Sequence, residues 1–134
     1  MDPHTPRRLA LIAELGAAIR DDQLVLHYQP KVDAEAHRVV GFEALIRWNH
    51  PEWGLLPPAE FIELVEMSEL IRPMTRWVVD RALRQWRAWR DQGRQLTVAV
   101  NISARSLLDR DFPNEIAAAL ETYQVDPGQL ELEI

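Results

Sequence analysis

The spacing of apolar positions changes repeatedly along the chain, and each change marks an element. In residues 6–21, Leu9, Ile12, Leu15 and Ile19 recur three or four apart with polar residues between, which predicts an amphipathic helix packed through that stripe. From residue 24 the period drops to two. LVLHYQPKV (24–32) alternates, AEAHR follows, and VVGFEALIRW (39–48) is again rich in β-formers. A connection of about five residues is too short for a parallel crossover, so these strands are expected to pair as an antiparallel hairpin.

NHPEWGLLPP carries the residues of a loop, and Pro58 suits the first turn of a helix over PAEFIELVEMSEL. Pro73 opens a further helix, MTRWVVDRALRQWRAWRDQG, with Val79, Leu83, Trp86 and Trp89 as its apolar stripe and Gly93 as its C-terminal cap. LTVAVNIS (96–103) is a nearly continuous apolar run of strand length, the pattern of a strand covered on both faces in a parallel sheet. PNEIAAALETYQV then predicts a helix, DPGQ a turn and LELEI (130–134) a strand. The order α, β, β, αα, β, α, β is strand–helix alternation from the second strand onward, which predicts a parallel sheet or barrel. The sequence stops within a strand and reads as the first part of a larger unit.

Splitting each strand by parity gives one apolar and one mixed face. Val40, Phe42, Ala44, Ile46 and Trp48 oppose Val39, Gly41, Glu43, Leu45 and Arg47; Val98, Val100 and Ile102 oppose Thr97, Ala99, Asn101 and Ser103. Leu130, Leu132 and Ile134 oppose Glu131 and Glu133, and Leu24, Leu26, Tyr28 and Pro30 oppose Val25, His27, Gln29 and Lys31. In a barrel the apolar sets face outer helices and the mixed sets face the interior, whose active end lies by the βα loops.

Composition narrows the chemistry. The 134 residues are 47% hydrophobic and 27% charged, as in a globular domain. No apolar run reaches the roughly 18 residues of a membrane span, and the N-terminus lacks a secretory pattern, so a cytoplasmic protein without a membrane partner is expected. There is no cysteine, which excludes disulfides and thiolate metal sites. The net charge of −6 argues against a nucleic-acid polymer as partner.

Two readings of the polar inner residues follow from pattern alone. Glu43, Asn101 and Glu133 could supply oxygen ligands to a hard divalent ion, with Arg47 on a phosphate oxygen beside it. Alternatively, Glu43 and Arg47 form an internal ion pair, Asn101 caps the turn after its strand, and Glu133 is solvated. His27 reads as an interior hydrogen-bonding residue and His50 as a loop residue, neither in a metal-binding spacing. Arg81, Arg84, Arg87, Arg90 and Arg94 read as a solvated outer face, interleaved with Asp80 and Asp91.

The motifs themselves add a resemblance. LHYQPKV (26–32), GFEALIRWNHP (41–51), PAEFIELVE (58–66), VAVNIS (98–103) and LELEI (130–134) stand in the order of the motifs of the EAL domain family, bacterial phosphodiesterases of cyclic di-GMP named for the tripeptide Glu43-Ala44-Leu45. The resemblance implies an α/β fold, the N-terminal half of a modified (β/α)8 TIM-like barrel with an antiparallel first strand. It divides the chain into a lead-in amphipathic helix at 1–22 and a partial EAL domain, the first four strands of the barrel, at 23–134.

It also implies that Glu43, Asn101 and Glu133 bind metal, that Arg47 contacts a substrate phosphate, and that Gln29 and Leu45 line the substrate groove. The implied reaction is metal-assisted hydrolysis of cyclic di-GMP to linear pGpG with two Mg²⁺ or Mn²⁺ ions. The Thr-Glu expected after Ile134 and the second half of the barrel, with its aspartate pair, catalytic lysine and further glutamate, lie outside this sequence. No complete catalytic set is therefore expected in this chain, and the isolated chain is expected to be inactive. The alternative function is a non-catalytic cyclic di-GMP receptor or a dimerisation scaffold, with a second copy or the missing half-barrel as partner.

Overall fold

The computed structural model describes residues 6–134; the first five positions of the lead-in segment at 1–22 lie outside the described residues. The described residues form α1 (Pro6–Arg20), β1 (Leu24–Asp33), β2 (Arg38–His50), β3 (Gly54–Leu56), α2 (Ile62–Glu66), α3 (Ile71–Asp91), β4 (Thr97–Asn101), α4 (Ala104–Leu107), α5 (Phe112–Thr122) and β5 (Leu130–Glu133). Short 3₁₀ turns at Pro58–Glu60 and Pro127–Gln129 precede α2 and β5.

The sheet runs β1-β2-β4-β5, with β3 paired to the end of β2. β1 and β2 form the expected antiparallel hairpin, closed by a turn in which Asp33 Oδ1 accepts from the amides of Glu35 and Ala36. β2, β4 and β5 are parallel. This is the strand–helix alternation of half a (β/α) barrel with a reversed first strand.

The even-numbered residues of the strands pack beneath helices. Ala44, Val98 and Val100 meet Val78, Val79, Ala82, Leu83 and Trp86 of α3 in one core cluster, which also takes in Phe112 of α5. Trp86 donates its indole N–H to the Leu96 carbonyl at 2.7 Å, tying α3 to the start of β4. Trp89 stacks on Phe42 at 4.5 Å between centroids. After α3 the chain reverses at Gly93, whose φ of +83° suits only glycine without strain, while the Arg94 amide reaches back to the Trp89 carbonyl. A second cluster joins Leu11, Leu15 and Ala18 of α1 to Trp48, Leu56, Phe61 and Met74.

Several sequence expectations change. The buried stripe of α1 is Arg8, Leu11, Leu15 and Ala18, so Leu9 is exposed and the stripe is rotated by about one position. Alternating small and large apolar residues in LALIAELGAAI permit more than one phase, and packing against Trp48, Phe61 and Met74 selects this one. The loop after Trp48 contains a strand: β3 returns along β2 with Leu56 opposite Trp48, and Gly54 takes φ +73° at the turn. The helix expected over 58–70 is interrupted at Phe61, whose φ of −141° is not helical, because its ring is drawn into the core against Trp48. α3 starts at Ile71, two residues before Pro73, since a proline is tolerated within the first turn, where amides have no intrahelical acceptor. α4 is an element that the periodicity of the sequence does not predict; Ser103 caps it by accepting from the Arg105 amide. No helix among the described residues is long and apolar enough to cross a membrane.

Candidate functional site

β2 is a strand because β-branched and aromatic side chains alternate along it, and the register with its neighbours decides what shares its other face. Across the hairpin, Lys31 stands opposite Gly41, Gln29 opposite Glu43, His27 opposite Leu45 and Val25 opposite Arg47. On the parallel side Glu43 is level with Ala99, Ala99 with Glu131, and Asn101 with Glu133. Facing residues in a ladder point to the same side of a sheet. Gln29, Glu43, Leu45, Arg47, Asn101 and Glu133 therefore all belong to the face opposite the helices, as parity predicted.

Gly41 has a steric role in that face. A Cβ there would lie 2.1 Å from Thr97 Oγ1 and 2.8 Å from the Thr97 carbonyl oxygen, so β2 and β4 reach this approach only with glycine. Two polar side chains bridge strands above this floor. Asn101 donates Nδ2 to Glu43 Oε2 at 3.0 Å, linking β4 to β2. Lys31 donates Nζ to Glu133 Oε1 at 2.9 Å and to Glu131 Oε2 at 3.2 Å, linking β1 to β5 across two intervening strands. The hydrogen bond to Glu133, with that to Glu131 adding to it, holds the Lys31 ammonium above its usual pKa.

The internal ion pair between Glu43 and Arg47 is not formed. Residues four apart on a strand are separated by about 13 Å along it at about 3.3 Å per residue, so this pair would close only with both side chains fully extended toward each other. Arg47 instead donates Nη1 to the Ile46 carbonyl at 2.7 Å, one of its five N–H donors. Nor does Asn101 act as the turn cap, a position taken by Ser103, and Glu133 is paired to Lys31 rather than merely solvated. Leu45, Asn101 and Ser103 also border a cavity of about 330 Å³ whose other walls include Ile62, Met74 and Ile134.

Both histidines depart from their sequence readings. His27 is exposed on the open face. His50 is the last residue of β2, is 5% exposed, and has both ring nitrogens engaged. Its Nδ1 accepts from the amides of Glu52 and Trp53, at 3.0 and 3.2 Å, which closes the turn into β3. With Nδ1 accepting, Nε2–H is the donor to the Glu14 carboxylate of α1. Trp53 stacks on the imidazole at 4.4 Å, and the Arg7 guanidinium lies over the Trp53 ring. The arginines of α3 are an outer face, as expected: Arg81 pairs with Asp22, Arg84 with Asp80 and Arg87 with Asp91.

Among the described residues no group of three or more His, Cys, Asp or Glu side chains is placed to hold a metal ion. The candidate donor set is two carboxylates and a carboxamide. Because Asn101 turns Nδ2 toward Glu43, its Oδ1 is the atom left for a cation. Hard oxygen donors of this kind fit Mg²⁺ or Mn²⁺, which fill the rest of their shell with water or further ligands. Lys31 and Glu131, which sequence reasoning did not single out, belong to the same face. Parity placed them there, but only the register showed that Lys31 reaches β5.

Comparison with known proteins bears on this arrangement. Residues 12–134 match the EAL domain family. The bifunctional diguanylate cyclase/cyclic di-GMP phosphodiesterase MucR of Pseudomonas aeruginosa is 39% identical over 135 residues, covering 100% of this chain and 20% of that protein. The cyclic di-GMP phosphodiesterase PdeR of Escherichia coli is 43% identical over 126 residues, covering 94% of this chain and 19% of that protein. The structure of the PaMucR phosphodiesterase in complex with c-di-GMP superposes with a TM-score of 0.89 at 40% identity, over 93% of this chain and 51% of that one. The chain thus spans about a fifth of those curated relatives and about half of that solved chain. With the motif order, the reversed first strand and the barrel-like sheet in agreement, the chain belongs to the EAL domain family.

Proposed function

We propose that this chain contributes one half of the site of a cyclic di-GMP phosphodiesterase, which hydrolyses one phosphodiester bond of the cyclic dinucleotide to give linear pGpG. The observation that carries this reading is the placement of Glu43, Asn101 and Glu133 on three adjacent parallel strands, on the same face as Arg47. The MucR structure, with c-di-GMP in that protein, supports the choice of ligand.

In this reading Glu43, Asn101 and Glu133 hold Mg²⁺ or Mn²⁺. When bound, a pair of such ions lowers the pKa of the attacking water and neutralises charge on the transferring phosphoryl group. Arg47 turns its planar fork to a substrate phosphate, where two parallel N–H donors fix orientation as well as charge. Gln29, opposite Glu43 on β1, offers an amide to the polar edge of the ligand, and Leu45 gives the groove an apolar wall.

The experiment is to join the chain to the C-terminal half of an EAL domain and assay Mn²⁺-dependent pGpG formation. Turnover is expected, falling by at least about a hundredfold in E43Q, since a lost ligand costs on the order of 10–100-fold in metal affinity or activity even when it lies only in the outer shell. No turnover by the completed barrel removes the enzymatic reading. Calorimetric binding of c-di-GMP without turnover would instead favour a receptor, because Arg47, Gln29 and Leu45 can serve binding without hydrolysis.

A further inference from the structure

Lys31 is the one cation that crosses the open face in the described contacts. Its strand is separated from β5 by β2 and β4, yet its ammonium sits 2.9 Å from Glu133 and 3.2 Å from Glu131. The strand beside Lys31 offers no side chain at the level of its Cα. The register partner of Lys31 on β2 is Gly41, which faces Thr97 on β4, and Ala99, two residues further along β4, is level with Glu131 on β5. Lys31 thus extends past Gly41 and the short Thr97 side chain and ends between two carboxylates.

One of those carboxylates belongs to the proposed cation donors. An ammonium at hydrogen-bond distance from Glu133 Oε1 occupies a lone-pair direction that a divalent ion would need, and its charge opposes the approach of a second cation. We propose that Lys31 is an internal counter-ion of Glu131 and Glu133 that competes with the divalent cation for Glu133 and so sets how readily the cation site loads. In this arrangement loading proceeds by exchange: the ammonium releases Glu133 and keeps Glu131, and Glu133 turns to the ion. Glu131 has a stated part here, as the carboxylate that holds Lys31 within reach after the exchange. This inference rests on the reading of Glu43, Asn101 and Glu133 as cation donors.

The pair is partly exposed, with side-chain exposures of 35% for Lys31 and 38% for Glu133, so its loss should leave the fold intact. That makes Lys31 a practical position to vary. The test is Mn²⁺ affinity of the full 134-residue chain, read by calorimetry and by the loss of the free Mn²⁺ electron paramagnetic resonance signal, for wild type, K31M, K31Q and K31R. Circular dichroism of each variant verifies folding.

K31M and K31Q are expected to bind Mn²⁺ about tenfold more tightly than wild type, the scale of one unit charge acting on a dication several ångströms away in a water-like dielectric. K31R, which keeps the charge, is expected to stay within about twofold of wild type, well below that charge effect. Binding by K31M with none by wild type also supports the proposal. Unchanged or weaker affinity in both neutral variants, or equal tightening in K31R, overturns it while leaving the cation site in place. Absence of Mn²⁺ binding in wild type and both neutral variants overturns the donor reading and the proposal with it.

Discussion

Gly41 illustrates how a single position can set the spacing of the site. Its hydrogen faces the Thr97 backbone at a distance no side chain can share, and Glu43 lies two residues further along the same face. G41A must push β2 and β4 apart or rotate Thr97. A loss of about 1–3 kcal/mol is expected, the range for overpacking a closed contact. A drop in urea midpoint with unchanged slope would show it; an unchanged midpoint would mean that the strands can separate freely. At this scale the motif glycine was visible in GFEAL, but its reason was not, because Thr97 lies far along the chain and meets it only through the parallel pairing. The absence of a Glu43–Arg47 pair has the opposite character. Strand geometry disfavours the pair, because period-two parity combined with the rise per residue leaves about 13 Å between the two positions.

Among the elements, α3 and α5 are joined at their outer edge by a charge network. Arg76 and Arg72 both donate to Glu115, and Arg72 also meets Asp109 and Asp111. The Arg76 hydrogen bond, followed by the charges of both arginines, holds the Glu115 carboxyl below its ordinary pKa. A carboxylate with a lowered folded value stabilises the fold fully above its unfolded pKa, and that contribution fades as pH falls through the lowered value. E115Q is therefore expected to lower stability at pH 7 by up to about 1 kcal/mol, a size kept small by the exposure of the partners, and to match wild type at about pH 2. Urea titrations at the two pH values give the comparison; an equal loss at both would mean that packing, not charge, carries the effect.

The same scale shows where periodicity reads well and where it does not. The stripe of α3 at Val79, Leu83 and Trp86 is long, capped and buried as expected. The buried stripe of α1 lies about one position from the one its spacing predicts, because a short helix rich in alanine and leucine carries several apolar phases of similar strength. The break at Phe61 and the added strand β3 share one cause: Trp48 collects Leu56 and Phe61 around it, and that gain outweighs a longer helix and a plain loop.

For the whole molecule, the sheet of the described residues is open, with β1 and β5 at its two ends. Unpaired strand edges are templates for further strands, and Leu132 and Ile134 are exposed beside β5. Concentration-dependent self-association of the chain is expected in sedimentation velocity, and it should disappear when the C-terminal half of an EAL domain is supplied to complete the sheet. A monomer at all concentrations would show that the edges are protected by their own twist or charge.

The sequence by itself determined the α/β class, the hairpin, the parallel strands after it, and the assignment of Gln29, Glu43, Leu45, Arg47, Asn101 and Glu133 to one face. These depend on periods of two and 3.6 and on loop length, which are local properties of the chain. Tertiary structure decided the register between strands, the burial of His50 against α1, the close approach at Gly41 and the passage of Lys31 to Glu131 and Glu133. Each joins residues distant in sequence, and their distance is set by packing across the sheet rather than by any pattern along one segment.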